Sequence, residues 1–263
     1  MNRTAHLAAA PALLAAFLAS AAAAEEPKEP RRTRVGLGAQ LVPSYPGSDS
    51  VSVRPLIDVS RTRGSKPFEF EAADESFGFA LVRGGGFAAG PALNLEGSRT
   101  AGDVGTPLPK VGFTVEAGAF AEYTFPSERL RLRAEVRKGL GGHEGVIGTV
   151  GADFVARRKD DWLFSIGPRL TFADRRYQTA YFGVAPADSA PSGLPAYSAD
   201  AGLLSAGATA GYLMQLSRRW GIYSYAKYDR LVGDAAASPI VTTLGSRNQL
   251  SGGLALTYTF GGK

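Results

Sequence analysis

The residue types best suited to chemistry are few and poorly grouped. Asp234 and Ser238 stand in the stretch Gly233 to Val241, and past the leader the one imidazole that could serve them is His143, in Gly141-Gly142-His143-Glu144. A serine nucleophile needs a buried, oriented base, and the G-x-S-x-G turn that presents such a serine surrounds none here. Asp234 and Ser238 therefore read as turn-capping residues with Pro239 stiffening the loop, catalysis is not expected, and replacing His143 by alanine is expected to change nothing. Gly84, Gly86 and Ala89 have the spacing of a dinucleotide fingerprint. No crossover helix follows them, and Phe87, Ala89, Pro91, Leu93 and Leu95 continue as one face of a strand, so the glycines read as a tight turn. His143 stands alone and Asp160-Asp161 is a turn pair, so neither a metal nor any other cofactor is expected.

The charge pattern is more informative. In the segment 110–125, Val111, Phe113, Val115, Ala117, Ala119, Ala121, Tyr123 and Phe125 share one face and Thr114, Glu116, Gly118 and Glu122 the other, with Phe120 as a misfit. Over 129–140, Leu130, Leu132, Ala134 and Val136 oppose Arg131, Arg133, Glu135 and Arg137. Alternation of period two with charge confined to one face is what a strand between lipid and a wet lumen requires. The set Glu116, Glu122, Arg131, Arg133, Glu135 and Arg137 then has two readings: a constriction selecting small solutes, or cross-strand pairs that hold a plugged interior.

The elements that must position these residues follow from the same periodicity. Strands are expected near 34–42, 51–60, 66–72, 76–82, 86–98, 110–125, 129–140, 145–157, 161–173, 201–217, 219–230 and 248–260. That gives an all-β transmembrane antiparallel barrel of about twelve strands, or ten if the stretch from Lys66 to Val82 forms one excursion. Tight turns at Arg61 to Ser65, Arg83 to Gly85, Pro126 to Arg129, Arg157 to Asp161 and Ser217 to Arg219 alternate with longer loops at Arg99 to Pro109, Asp174 to Asp200 and Val232 to Arg247. Short periplasmic turns and long extracellular loops segregate in this way in a barrel with both termini in the periplasm. Tyr45, Tyr123, Phe125, Trp162, Phe172, Trp220, Tyr228, Tyr258 and Phe260 fall near strand ends, where aromatic rings settle at membrane interfaces. The last strand, through Leu254, Leu256, Tyr258 and Phe260, is expected to close on the first near Val35. The loop Asp174 to Asp200 carries Tyr177, Tyr181, Phe182 and Tyr197, which favour burial, so an inward plug is expected over an outward adhesive surface.

Composition sets the outer bounds. Residues 1–24 have the charged, apolar and small-residue order of a secretory signal peptide, followed by a polar periplasmic segment 25–33 and the barrel over 34–263. The chain has no cysteine, which excludes disulfides and lipid attachment through an N-terminal cysteine. Its net charge of +5 is spread over both signs along the length, and no nucleic-acid footprint is present. Outer-membrane lipid and the barrel-assembly machinery are the partners such a chain must meet.

Several stretches carry a specific resemblance. Tyr228-Asp229-Arg230-Leu231, Gly233-Asp234-Ala235-Ala236, Ser238-Pro239-Ile240-Val241 and Gly245-Ser246-Arg247-Asn248-Gln249 closely resemble the MipA/OmpV family of outer-membrane proteins. Pro43, Tyr45, Gly47 and Ser48 resemble its first-loop element, Arg54-Pro55-Leu56 follows, and Tyr181, Phe182, Gly183, Val184 and Tyr197 resemble its long-loop tyrosine motif. Gly261, Gly262 and Lys263 depart from it by following the aromatic that would end the barrel. The resemblance implies the cell outer membrane as location. It further implies a structural or scaffolding role for murein-processing enzymes, a lytic transglycosylase and a murein synthase, with a narrow porin-like channel or a surface adhesin as alternatives.

Overall fold

The computed structural model describes residues 29–261, so the leader and residues 25–28 of the N-terminal segment lie outside it. Strands β1 (Arg31–Pro43), β2 (Val51–Arg63), β3 (Phe77–Gly78), β4 (Val82–Gly84), β5 (Phe87–Glu96), β6 (Thr114–Thr124), β7 (Leu130–Leu140) and β8 (Val146–Arg158) form one curled antiparallel sheet with β9 (Trp162–Ala173), β10 (Gly202–Gln215), β11 (Trp220–Leu231) and β12 (Asn248–Phe260). Five short helices sit in the long loops: α1 (Ala101–Val104), α2 (Arg175–Phe182), α3 (Pro186–Ser192), α4 (Gly233–Ala237) and α5 (Pro239–Leu244). The last strand pairs with the first near Val35, as expected, with Val35 opposite Tyr258.

Alternation determines which way each strand faces. On β7, Leu132 and Val136 are exposed on the outer surface while Arg131 and Glu135 are buried inside. On β12, Leu254, Leu256 and Phe260 point out and Ala255, Thr257 and Thr259 point in. An outer belt of exposed Leu, Val, Ile and Phe around the whole sheet is far beyond what a water-facing surface carries, and it fits a bilayer. At the short-turn end, Trp220 packs edge-on to Tyr258 at 4.7 Å, as Tyr258 does to Phe260. Rings at that level form an interfacial girdle. The β4–β5 hairpin turns through Gly85 (φ 58°) and Gly86 (φ 86°), whose positive φ values glycine adopts without strain.

Several expectations change. The stretch 66–72 is not a strand of the wall, because it rises inside the lumen from the short-turn end. Residues 76–82 give only the halves β3 and β4, which occupy one wall position beside β5, so the twelve strands arise by a different division of the chain. Tyr45 is buried in the extracellular cap rather than placed at the lipid interface, and so is Val111. Phe120 faces inward, where the Arg133 guanidinium lies 3.9 Å from its ring centroid, so the apparent misfit is a cation–π platform.

The sheet is also not closed by hydrogen bonds all the way round. Its order begins at β2 and ends at β3 and β4, and among the described residues those two edges make no backbone pairs. Ten antiparallel steps separate them, so both run in the same direction, toward the short-turn end.

Candidate functional site

Inside the wall, the six charges singled out from the sequence form one connected network. Glu116 accepts from Arg137 Nε (2.8 Å), Asn94 Nδ2 (2.9 Å) and His143 Nε2 (3.0 Å). Glu135 pairs with Arg133 (2.9 Å) and with Arg137, and Glu122 receives Arg133 (2.9 Å) and Arg131 (3.4 Å). Strand period two brings these groups to the interior, and pairing is what lets buried charges persist there.

The network has members that sequence reasoning missed. Asp153 on β8 bridges Arg131 (3.0 Å) and Arg169 (2.7 Å). The rising segment adds Asp74, which takes Arg169 (2.9 Å), Thr209 Oγ1 (2.9 Å) and Lys227 (3.5 Å), and Glu75, which takes Arg131 and, at 3.6 Å, Arg133. Ser76 donates to Glu135. A usable signal existed: Asp153 and Arg169 are lone mid-strand charges, and a lone charge in a lipid-spanning strand must face inward. Below this layer, Phe68 lies under Arg34 (4.6 Å) and Arg32 (5.0 Å), its N–H donates to Asp160 (3.0 Å), and Arg157 donates to its carbonyl (2.8 Å). Among Asp74, Arg137 and Arg169 a small gap of about 30 Å³ remains. Beneath, a vestibule of about 560 Å³ bounded by Phe68, Phe70, Arg83, Arg131 and Arg157 opens toward the periplasm.

The long loops close the other end. Asp174 caps α2 by accepting from Tyr177 N–H (2.9 Å), and the helix drives Tyr177, Tyr181 and Phe182 into an apolar core with Ile147, Leu204, Leu231 and Val241. A second cluster joins Tyr45, Val104, Leu108, Val184, Leu194 and Ile240. Burial, then the nearby Glu96 carboxylate, pushes the Tyr177 and Tyr181 phenols above their ordinary pKa. Loop Asp174 to Asp200 thus folds inward, as expected, but as a helical cap on the mouth rather than as the segment that threads the lumen.

The loop-motif residues converge on this cap. Gly47 (φ 94°) lies where a Cβ would come within 2.9 Å of Val241 and 3.1 Å of Phe182. Its N–H donates to Gln249 Oε1 (3.0 Å), and Ser48 pairs with Gly245 across a β-bridge. Pro43 ends β1, and Gly183 caps α2 against the Thr179 carbonyl. Tyr197 donates to the Asp234 carbonyl (2.9 Å), Asp234 accepts from Asp200 N–H (2.7 Å), and Gly233 opens α4 with φ 55°. Arg230 donates to Asn248 (2.9 Å). Ser238 caps α5, whose first residue is Pro239, and its hydroxyl donates to the Phe182 carbonyl (2.7 Å). That hydroxyl is committed to packing the cap.

His143 is the hinge between cap and network, contrary to the expectation that it would prove dispensable. Its Nδ1 accepts from Gly145 N–H (3.0 Å), which fixes the proton on Nε2 for donation to Glu116, and its ring packs edge-on to Tyr177 at 4.8 Å. Replacing His143 by alanine removes both and is expected to cost about 2–4 kcal/mol. A lowered thermal midpoint in detergent micelles is the check; an unchanged midpoint would contradict this placement.

A curled sheet with a lipid-facing exterior, an aromatic girdle and an interior filled by paired charges defines an outer-membrane β-barrel protein. The chain belongs to the MipA family: residues 35–260 match the family described as MltA-interacting protein MipA. Among solved structures it is similar to an outer-membrane channel from Pseudomonas putida F1 (10% identity, 89% of this chain and 97% of that one, TM-score 0.38). It is also similar to OmpT, an outer membrane protein of Vibrio cholerae (9% identity, 91% and 100%, TM-score 0.33). No curated protein matches it in sequence.

Proposed function

We propose that this protein is a structural scaffold of the outer membrane that engages murein-processing enzymes through its periplasmic face. The observation that carries this reading is the filled interior: a charge network and a threaded segment occupy the lumen and a cap covers its outer mouth, which suits a docking body better than a standing pore. The family description names an interaction with MltA, a lytic transglycosylase, and such an enzyme is the first expected partner, with a murein synthase as a second. The six charges on β6 and β7 act in this reading as structural ties, and the loop motifs as ties within the cap.

The periplasmic handles are small. Arg157 turns inward to Phe68, so Arg158, whose side chain is 75% exposed beside Asp161, the exposed Lys159 and the pair Arg218-Arg219 are among the basic groups a partner meets. A photo-cross-linker placed at Arg158 in intact envelopes tests the proposal. Capture of a murein hydrolase or synthase is the expected result, and capture of assembly machinery alone would overturn it.

A further inference from the structure

The threaded segment and the unpaired edges explain one another. From Arg63, at the periplasmic end of β2, the chain climbs through the lumen as Lys66 to Ser76 and only then enters the wall as β3 and β4, running down again. An upward strand is therefore missing between two downward edges. In hydrocarbon, backbone donors and acceptors at an open edge have no water to satisfy them, and lipid-exposed open edges do not occur. The residues 66–72 carry what that position needs: Phe68, Phe70 and Ala72 on one face and Glu69 and Glu71 on the other, over about 23 Å at strand rise. A turn at its top is already made, with Glu75 N–H donating to the Ala72 carbonyl (3.2 Å), and another at its foot, where Lys66 N–H donates to the Arg63 carbonyl (3.3 Å). The exchange needs the segment to turn about its own axis, bringing the two phenylalanines from the arginines to the lipid and the two glutamates to the lumen.

What holds the segment inside is also specific. Asp74 and Glu75 present two adjacent carboxylates to Arg169, Lys227, Arg131 and Arg133, all contributed by the wall. The buried Arg131 and Arg133 still have Nε groups without a partner. Four cations converging on two carboxylates is the arrangement by which proteins hold a small polyanion. The vestibule gives access to it from the periplasm, while the cap closes the far side.

We propose that the lumen is a periplasm-facing binding site for a small dicarboxylate, kept occupied by Asp74 and Glu75 as an internal ligand, and that an incoming dianion displaces Lys66–Ser76 into the vacant wall position. Displacement closes the sheet as twelve antiparallel strands and opens to the ligand the sides of Arg131, Arg133, Arg169 and Lys227 that Asp74 and Glu75 now occupy, while Glu122, Glu135, Asp153 and Asp229 keep their own bonds to them. Because the site is available only in the fraction of molecules with the segment released, the intrinsic affinity is masked, and weakening the internal ligand unmasks it.

The test uses the full barrel in lipid vesicles, with the blocked dipeptide N-acetyl-Asp-Glu-amide as probe, and heat-modifiable mobility on gels to confirm that each variant is folded. The double variant Asp74→Ala/Glu75→Ala is expected to bind the probe about a hundredfold more tightly than the native chain. Since the chain has no cysteine, the pair Asp74→Cys/Thr209→Cys can lock the segment in the lumen. Binding is expected to vanish when this pair is oxidised and to return on reduction. A spin label at Phe70→Cys is expected to gain the oxygen accessibility of a lipid-facing site when probe is added. A folded double variant that binds no more tightly than the native chain would overturn the proposal. So would a label that stays shielded at saturating probe, or a disulfide between Val59→Cys and Val82→Cys, which would mean that β2 and β4 close on each other directly.

Discussion

An Asp153→Ala barrel is expected to lose about 3–5 kcal/mol of stability, the largest effect of any single change to the interior. Asp153 is 2% exposed and is the shared partner of Arg131 and Arg169. Its removal leaves two guanidinium groups, from the strands on either side of β8, facing each other in a confined space, and neither can shed its proton to escape. Arg131 retains Glu75 and Glu122, and Arg169 retains Asp74, so the barrel is expected to assemble but to unfold at lower denaturant. Asp153→Asn keeps the volume and one acceptor per side chain and is expected to recover only part of the loss. Urea unfolding followed by tryptophan fluorescence measures both, and a midpoint within error of the native chain would mean that these charges are hydrated rather than paired.

Phe182→Ala should act at the other end of the molecule and leave the wall intact. Phe182 is fully buried at the end of α2, its carbonyl accepts from Ser238, and its ring packs beside Tyr181. Truncating a buried phenylalanine costs about 3–5 kcal/mol through lost burial and the cavity left behind. Here the loss falls on a cap built from five short helices, the longest of them eight residues, which have no stability apart from their shared core. The expected result is therefore local: protease added to intact cells cleaves between Asp174 and Asp200, while the folded barrel keeps its gel mobility. Coordinated loss of the whole barrel would mean that cap and wall fold as one unit, and resistance equal to the native chain would mean that the cap does not depend on Phe182.

Those two regions differ in how far the sequence reveals them. The wall was legible because lipid on one side and charge on the other impose period two, so that β7 reads directly as Leu130, Leu132, Ala134 and Val136 against Arg131, Arg133, Glu135 and Arg137. That the last strand closes on the first near Val35 followed from parity. The stretch 66–72 shows where that logic stops: its alternation is that of a strand, but period two does not say whether the strand stands in the wall. Asp74 and Glu75, just beyond the alternating run, decide it by reaching four wall cations that lie between about 60 and 150 residues further along the chain. The cap was hidden for a different reason. A helix such as Arg175–Phe182 has barely two turns, too short for a periodic apolar stripe, and only its signals at the ends, Asp174 ahead of α2 and Ser238-Pro239 at α5, were open to reading. His143 was misjudged because a histidine among glycines looks like a solvated turn, and nothing local indicates that Glu116 and Tyr177 enclose it.

The filled lumen also bears on the scaffold reading, since a barrel with no standing bore has its periplasmic rim left as the surface through which to act. Single-channel recording of the native protein in a planar bilayer tests this most directly. A baseline without sustained steps is expected, with the network around Asp153 and the cap over Tyr181 both in place. A steady porin-like conductance in the native chain would contradict it.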